Sequence, residues 1–225
     1  MKPMSEQHFA ILRRHMVELI ELQLDLMSDE VGKSALDERV AAALLDVPRH
    51  LFVPAQLATL AYDDTPLPIG FDKTISQPLI AALMVDLLSP RPDDSVLEVG
   101  TGLGYQAAVL AQLARRVWSV EIVEEFAAAA ESRLQELGLT NVTLRVGDGS
   151  RGWPEHAPFD KVLVTAAATQ MPRPLVEQLK HGGRMVIPIG RAEAQQLTVV
   201  RKLSNGEVDA REVLPVRFTR LETGL

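Results

Sequence analysis

The chain has 225 residues and no cysteine, and its 23 Lys and Arg against 30 Asp and Glu leave a net charge of −7. The missing thiols exclude disulfides, thiolate metal sites and a cysteine nucleophile, and an acidic chain without a long basic run does not suit a phosphate backbone, so no nucleic-acid partner is expected. Hydrophobic residues make up 47% of the sequence, enough for a packed core, but no run is long enough to span a bilayer and no basic-then-apolar leader opens the chain; no membrane partner and a cytoplasmic location are expected.

Residues 5 to about 27 read as a helix. Ile11, Leu12, Val17, Leu19, Ile20, Leu22, Leu24 and Leu26 recur at helical spacings, and Ser5 is a candidate cap. The polar stretch 28–33, with Gly32, reads as a linker. A second helix is expected over residues 34–46, stopped by Pro48. The pair reads as a helical layer over one side of a sheet. Residues 51–78 are unusual: Pro54, Pro66, Pro68 and Pro78, with Gly70, exclude a regular helix or a central strand. A loop this long and this apolar is expected to be ordered and functional. It carries Thr74, Ser76 and Gln77 toward a site, just before a helix over 79–88 with Pro78 in its first turn. Ser76 could equally serve as that helix's cap, and a helix N-terminus also favours an anion.

Val96 to Gln106 then gives a buried strand, glycines at every second position and a helix, which is a nucleotide-binding corner. Gly102-Leu103-Gly104-Tyr105-Gln106-Ala107 fits the dinucleotide pattern G-x-G-x-x-G/A, a weak signal by itself. The wider frame Glu98-x-Gly100-x-Gly102-x-Gly104 suits a different ligand. A carboxylate there repels pyrophosphate and attracts an ammonium, as in S-adenosylmethionine. A glycine turn with only a structural role is the third reading, and all three stand on this segment alone.

Strands follow at 116–121, 142–146, 160–168 and 184–190, with helices at 124–137, closed by Gly138, and 174–180, stopped by His181-Gly182-Gly183. Glu121, 17 residues beyond Gly104, can accept from ribose hydroxyls, as both nucleotide readings require. Asp148, between Gly147 and Gly149, can reach an adenine amino group or be an ordinary turn aspartate. Asn205-Gly206 between two strand-like runs, 196–203 and 207–218, signals an antiparallel hairpin at the sheet edge. The histidines show no metal spacing, so no metal site is expected.

Several blocks together resemble the protein-L-isoaspartate O-methyltransferase family. They are Asp37-Glu38-Arg39-Val40, Val47-Pro48-Arg49, Leu67-Pro68-Ile69-Gly70, Thr74-Ile75-Ser76-Gln77-Pro78, Leu97 to Gln106, Gly147-Asp148-Gly149, Phe159-Asp160, Val164-Thr165-Ala166-Ala167, Leu179 to Gly183 and Ile187-Pro188-Ile189-Gly190. The glycine motif alone marks only a class I methyltransferase; the Thr-Ile-Ser-Gln-Pro block upstream is the specific part. The resemblance implies a single Rossmann-like α/β methyltransferase domain over 1–225, with a doubly wound, mostly parallel sheet. Its parts are an N-terminal helical layer (1–60), a substrate loop (61–78), a cofactor-binding core (79–190) and a C-terminal antiparallel hairpin (191–225). It implies S-adenosyl-L-methionine as cofactor and methyl esterification of the α-carboxylate of L-isoaspartyl residues in damaged proteins and peptides, with repair through a succinimide. Ser76 matches the active-site serine. Thr74, Gln77, Glu98, Gly100, Thr101, Gly102, Tyr105, Glu121, Ile122, Asp148 and Gly149 are the candidate cofactor residues. A monomer is expected. Departures lie on the substrate side: Phe71-Asp72-Lys73 before the block, Leu79 after it, Thr219-Arg220 near the C-terminus and the longer N-terminus. A same-fold enzyme for another carboxylate or a specialised peptide, or a non-catalytic sensor of the cofactor or of isoaspartyl chains, is the alternative.

Overall fold

The computed structural model describes residues 4–224; residues 1–3 and 225, which the single-domain reading includes, lie outside them. Helices α1 (Glu6–Leu26), α2 (Ser28–Val31) and α3 (Glu38–Asp46) come first. Two 3₁₀ segments (Arg49–Phe52 and Ala55–Leu60) and a hairpin of β1 (Leu67–Gly70) and β2 (Lys73–Ile75) follow. The main body is α4 (Pro78–Leu88), β3 (Ser95–Val99), α5 (Tyr105–Leu113), β4 (Arg116–Glu121), α6 (Glu124–Glu136), β5 (Val142–Val146), β6 (Phe159–Val164), α7 (Arg173–Glu177), β7 (Leu179–Arg191), β8 (Ala194–Lys202) and β9 (Val208–Val216). No helix among the described residues is long and apolar enough to cross a membrane.

The main sheet has the order β5-β4-β3-β6-β7-β8-β9, with β5 through β7 parallel and β8 and β9 antiparallel. This is the expected Rossmann-like sheet with its antiparallel edge around Asn205-Gly206. The chain leaves β3 toward β4 and returns on the other side as β6. The crevice at the carboxyl ends of β3 and β6 is therefore the switch point where such sheets take ligands. Val99 sits in register with both Val120 and Val164, which brings Gly100, Glu121 and Thr165 to one rim.

One hydrophobic cluster joins α1, α3, α4, α5 and α6 over one face of the sheet, and a second, around Trp153, Phe159 and Leu175, covers the other face with α7. Helix α4 is buried on nearly every side, which explains its almost uniformly apolar sequence. Helices α1 and α3 form a layer outside α4 and α5, one step further from the sheet than expected.

Several boundaries differ from the sequence reading. The buried stripe of α1 is Phe9, Met16, Val17, Ile20 and Leu24, while Ile11, Leu22 and Leu26 face outward. Ser5 stands at the cap position, but its hydroxyl pairs with His8 Nδ1 and caps no backbone N–H. The supposed linker 28–33 contains the turn α2, because Val31 buries its side chain and Gly32 ends the turn at φ +82°. Helix α3 starts at Glu38, where Asp37 accepts from Arg39 N–H. The long loop holds the β1–β2 hairpin. The fourth strand of the core stops at Val164, α7 ends at Glu177, and His181-Gly182-Gly183 lies inside β7, bulged between Leu179 and Arg184.

Candidate active site

Thr74, Gly100, Gly102, Glu121, Ile122 and Gly149 line one cleft of about 580 Å³ at the switch point. Thr74, Ser76, Gly100, Thr101, Gly102 and Tyr105 line a smaller cavity beside it, over the glycine corner. A third cleft, running to the end of β9, is lined by Thr74, Ser76 and Gln77. Thr74 and Thr165 border all three. Ser76 stands on the wall between the glycine corner and the outer cleft. The cap position of α4 falls on Gln77, so Ser76 does not fill the capping role that competed for it.

Two glycines let the strand ends pack closely at the rim of the main cleft. A Cβ on Gly100 would lie 2.5 Å from Thr165 Oγ1, and one on Gly149 would lie 2.4 Å from Val99 Cγ1, so a side chain at either point would have to displace its neighbour. Thr165 Oγ1 donates to the carbonyls of Gly100 (2.6 Å) and Val99 (3.1 Å), locking β3 to β6 at the rim.

Glu121 braces the same rim. Its Oε2 accepts from Gly102 N–H (2.7 Å) and its Oε1 from Ile122 and Val123 N–H (2.9 and 3.0 Å). A carboxylate offers about four acceptor sites, so one remains for a ligand hydroxyl.

Glu98 and Asp148 stand behind the walls of these cavities. Glu98 is fully buried on β3; Ser119, its cross-strand partner, donates to Oε2 (2.5 Å), and Thr101 Oγ1 lies 2.5 Å from Ser119 Oγ. Burial pushes the Glu98 carboxyl up to about 8, against the Ser119 hydrogen bond and with help from the nearby Glu121 charge. At neutral pH it is therefore mostly the neutral acid, where the sequence reading had a carboxylate. Asp148 accepts from Ser150 N–H and Oγ and from Gly224 N–H. Burial raises its carboxyl, but these hydrogen bonds and Arg151 outweigh it and hold it below the ordinary range. Gln77 commits its amide nitrogen to Asp64 Oδ2 (2.8 Å) and faces the outer cleft, away from the glycine corner. Tyr105 opens α5; burial, opposed by Arg49, pushes its hydroxyl up to about 12, so it stays protonated.

The sequence reading did not single out several groups at the site. Gln106, inside the quoted glycine motif, borders the corner with a buried Nε2 that has no partner, as has Glu98 Oε1. Thr219, Arg220 and Glu222 wall the main cleft. Their segment is stitched down by Ala167 N–H to Thr219 O (2.8 Å) and Leu221 N–H to Ala167 O (2.8 Å), and Lys73 pairs with Glu222. Only the departure at Thr219-Arg220 marked this stretch in the sequence. The unpaired Gln106 donor on the wall of the corner, with the unpaired Glu98 oxygen buried behind the wall, fits a ligand that bears a carboxylate and, where it ionises Glu98, an ammonium. No group of three or more His, Cys, Asp or Glu among the described residues could hold a metal ion.

Residues 23–224 match the family model described as protein-L-isoaspartate(D-aspartate) O-methyltransferase. The chain is 54% identical over 219 residues to protein-L-isoaspartate O-methyltransferase 1 of Polaromonas sp. strain JS666, covering 97% of this chain and 93% of that one. It is 50% identical to protein-L-isoaspartate O-methyltransferase 2 of Nitrosococcus oceani, over 92% and 95% of the two chains. A solved protein-L-isoaspartate O-methyltransferase superposes with a TM-score of 0.74 at 28% identity, over 89% of this chain and 65% of that one. A Plasmodium falciparum structure solved with S-adenosyl-L-homocysteine superposes at 0.77 and 23% identity, over 94% and 99% of the two chains, and shares the fold.

Proposed function

The chain belongs to the protein-L-isoaspartate(D-aspartate) O-methyltransferase family, and from that premise we propose how its residues divide the work. The enzyme esterifies the free α-carboxylate of L-isoaspartyl residues in damaged proteins and peptides, using S-adenosyl-L-methionine. The ester then closes to a succinimide without the enzyme, and hydrolysis returns part of it to the normal aspartyl linkage. Gly100, Gly102, Glu121, Ile122 and Gly149 would hold the nucleoside end of the cofactor in the main cleft, with Asp148 behind Gly149. Thr74, Thr101, Tyr105 and the Glu98–Ser119 pair would serve the methionine end at the glycine corner. Bound there, the cofactor supplies an electrophilic methyl group on a sulfonium.

The protein's own task is small. A substrate carboxylate has a pKa near 4, so it is already ionised at neutral pH and needs no base. What remains is to orient it and exclude water, which can supply most of the acceleration. Ser76 does the orienting: its hydroxyl donates to one carboxylate oxygen and leaves the other free to attack. The observation that carries this assignment is that Ser76 borders both the glycine corner and the outer cleft. Gln77 belongs with it on the substrate side. We read the protein as a cytoplasmic monomer.

Replacing Ser76 by Ala should lower kcat by roughly 10²-fold or more, within the range for lost positioning, with cofactor affinity unchanged. Steady-state kinetics with an isoaspartyl peptide and calorimetry with S-adenosyl-L-homocysteine check this. Loss of cofactor affinity in Ser76→Ala would move the residue to the cofactor site and remove its orienting role.

A further inference from the structure

Ser76 lies on a segment between β2 and α4 with no regular secondary structure of its own. Its peptide is nevertheless held from two sides. Arg49, in the first 3₁₀ segment, is wholly buried and donates from Nη2 to the carbonyl of Ser76 (2.5 Å) and from Nε to that of Ala61 (2.7 Å). Its guanidinium carbon sits 4.8 Å from the centre of the Tyr105 ring, which borders the same cavity as Ser76. No carboxylate lies within ion-pair distance of Arg49 among the described residues, and its Nη1 is buried without a partner. An arginine stays charged even when buried, so an unpaired cation is maintained beside Ser76 at a real desolvation cost. Packing alone would be served as well by an apolar side chain.

On the other side, Asp64 accepts from Gln77 Nε2 (2.8 Å) through Oδ2 and from Leu79 N–H (3.1 Å) through Oδ1. It thereby caps α4 from a distance, since Gln77 does not cap it. Asp64 Oδ2 also accepts from Gln23 Nε2 of α1 (2.8 Å). Helix α1 steadies the Arg49 turn as well: Phe9 stacks on His50 at 3.7 Å, and His50 Nδ1 and Arg13 both meet the Tyr62 hydroxyl.

We propose that Arg49 and Asp64 are positioning residues that bracket Ser76, and that the N-terminal helical layer serves the reaction by holding that bracket. The proposal rests on the orienting role of Ser76. Arg49 fixes the Ser76 carbonyl, and Asp64 ties down the Gln77 side chain and the Leu79 N–H just beyond it. The hydroxyl then keeps one direction relative to the glycine corner, where a displacement of about 1 Å can cost about 10²-fold in rate. A lysine in place of Arg49 keeps the charge but cannot reproduce the two-pronged hydrogen bonding of a planar guanidinium.

The test is a double-mutant cycle on kcat for an isoaspartyl peptide, with S-adenosyl-L-homocysteine affinity measured for every variant. Arg49→Lys should lower kcat by about tenfold or more, leaving peptide KM and cofactor affinity within about threefold. Combined with Ser76→Ala it should cost no further factor, because Arg49 acts through Ser76. Independent losses that multiply, or a parallel fall in cofactor affinity, would reduce Arg49 to a structural residue and overturn the proposal. Asp64→Asn, at a partly buried position, carries the same expectation without touching the core and decides the matter if Arg49→Lys does not fold. An Asp64→Asn enzyme with normal kcat contradicts the bracket. A Ser76→Ala enzyme that turns over normally sinks the Ser76 assignment and this proposal together, whereas a slow Ser76→Ala beside a normal Arg49→Lys sinks the bracket alone.

Discussion

Glu98 carries the sharpest pH signature. Its carboxyl sits near 8 in the fold, above its ordinary 4.5, so the folded chain holds a proton there that the unfolded chain releases. The sign follows from linkage: this group's stabilising share is complete at low pH, declines as pH rises from about 4.5, and is gone above about 8. A cofactor ammonium reverses the balance by favouring the ionised acid. Cofactor binding near pH 7 should therefore release close to one proton from Glu98, and affinity should rise with pH and level off above about 8. Calorimetry in two buffers of different ionisation enthalpy reads the proton directly, with Glu98→Gln as the control that abolishes it. Equal proton release by Glu98→Gln and the parent enzyme would rule this out. Nothing in the sequence marks the protonated state, because Glu98 is buried only once β3 lies inside the assembled sheet. Its place two residues before Gly100 was legible; its charge was not.

At the scale of elements, the β1–β2 turn shows why the long proline-containing segment was hard to read. Phe71 and Asp72 both have positive φ, +50° and +54°, as a tight hairpin turn requires. The usual sign of such a turn is Asn-Gly, and Phe is among the residues least suited to it. For a side chain in the left-handed region the cost is about 1–2 kcal/mol. Phe71 nonetheless projects, 58% exposed, and meets Phe126 edge-on at 5.3 Å; Phe126 in turn lines the main cleft. Strain kept at such a position points to function. Phe71→Asn should leave folding stability within about 1 kcal/mol, as relief of the backbone offsets an aromatic contact of about 0.5–1.5 kcal/mol. It should also weaken cofactor binding a few-fold, to about tenfold at most. Thermal melts and calorimetry separate the two effects, and unchanged affinity would deny Phe71 any part in the cleft wall. The strands of the core were far easier: β4 and β5 span the residues the sequence predicts for them, 116–121 and 142–146. Asn205-Gly206 likewise announced its hairpin.

For the whole molecule, alternating strands and helices with a glycine corner suffice to read the layered α/β body, since each element there obeys its own period. The outer layer is different. Ile11, Leu22 and Leu26 have helical spacing yet face solvent, while Phe9 and Met16 are buried, because the partners of α1 are α3 and α4, whose placement no local pattern records. The site residues divide likewise. Those on strand ends and the glycine corner were legible, whereas Gln106, Thr165 and the segment at Thr219 to Glu222 join them only through folding. Of the departures, Lys73, Thr219 and Arg220 line the main cleft assigned to the cofactor, and Thr219 also borders the outer cleft, so they do not lie on the substrate side alone, where the sequence reading put them. Methyl transfer from labelled S-adenosyl-L-methionine to two short peptides, identical except for L-isoaspartate or normal aspartate at one position, reads the esterification and its selectivity together. Base-labile label on the isoaspartyl peptide alone is the predicted result. Cofactor binding with no label on either peptide, or equal label on both, would contradict it.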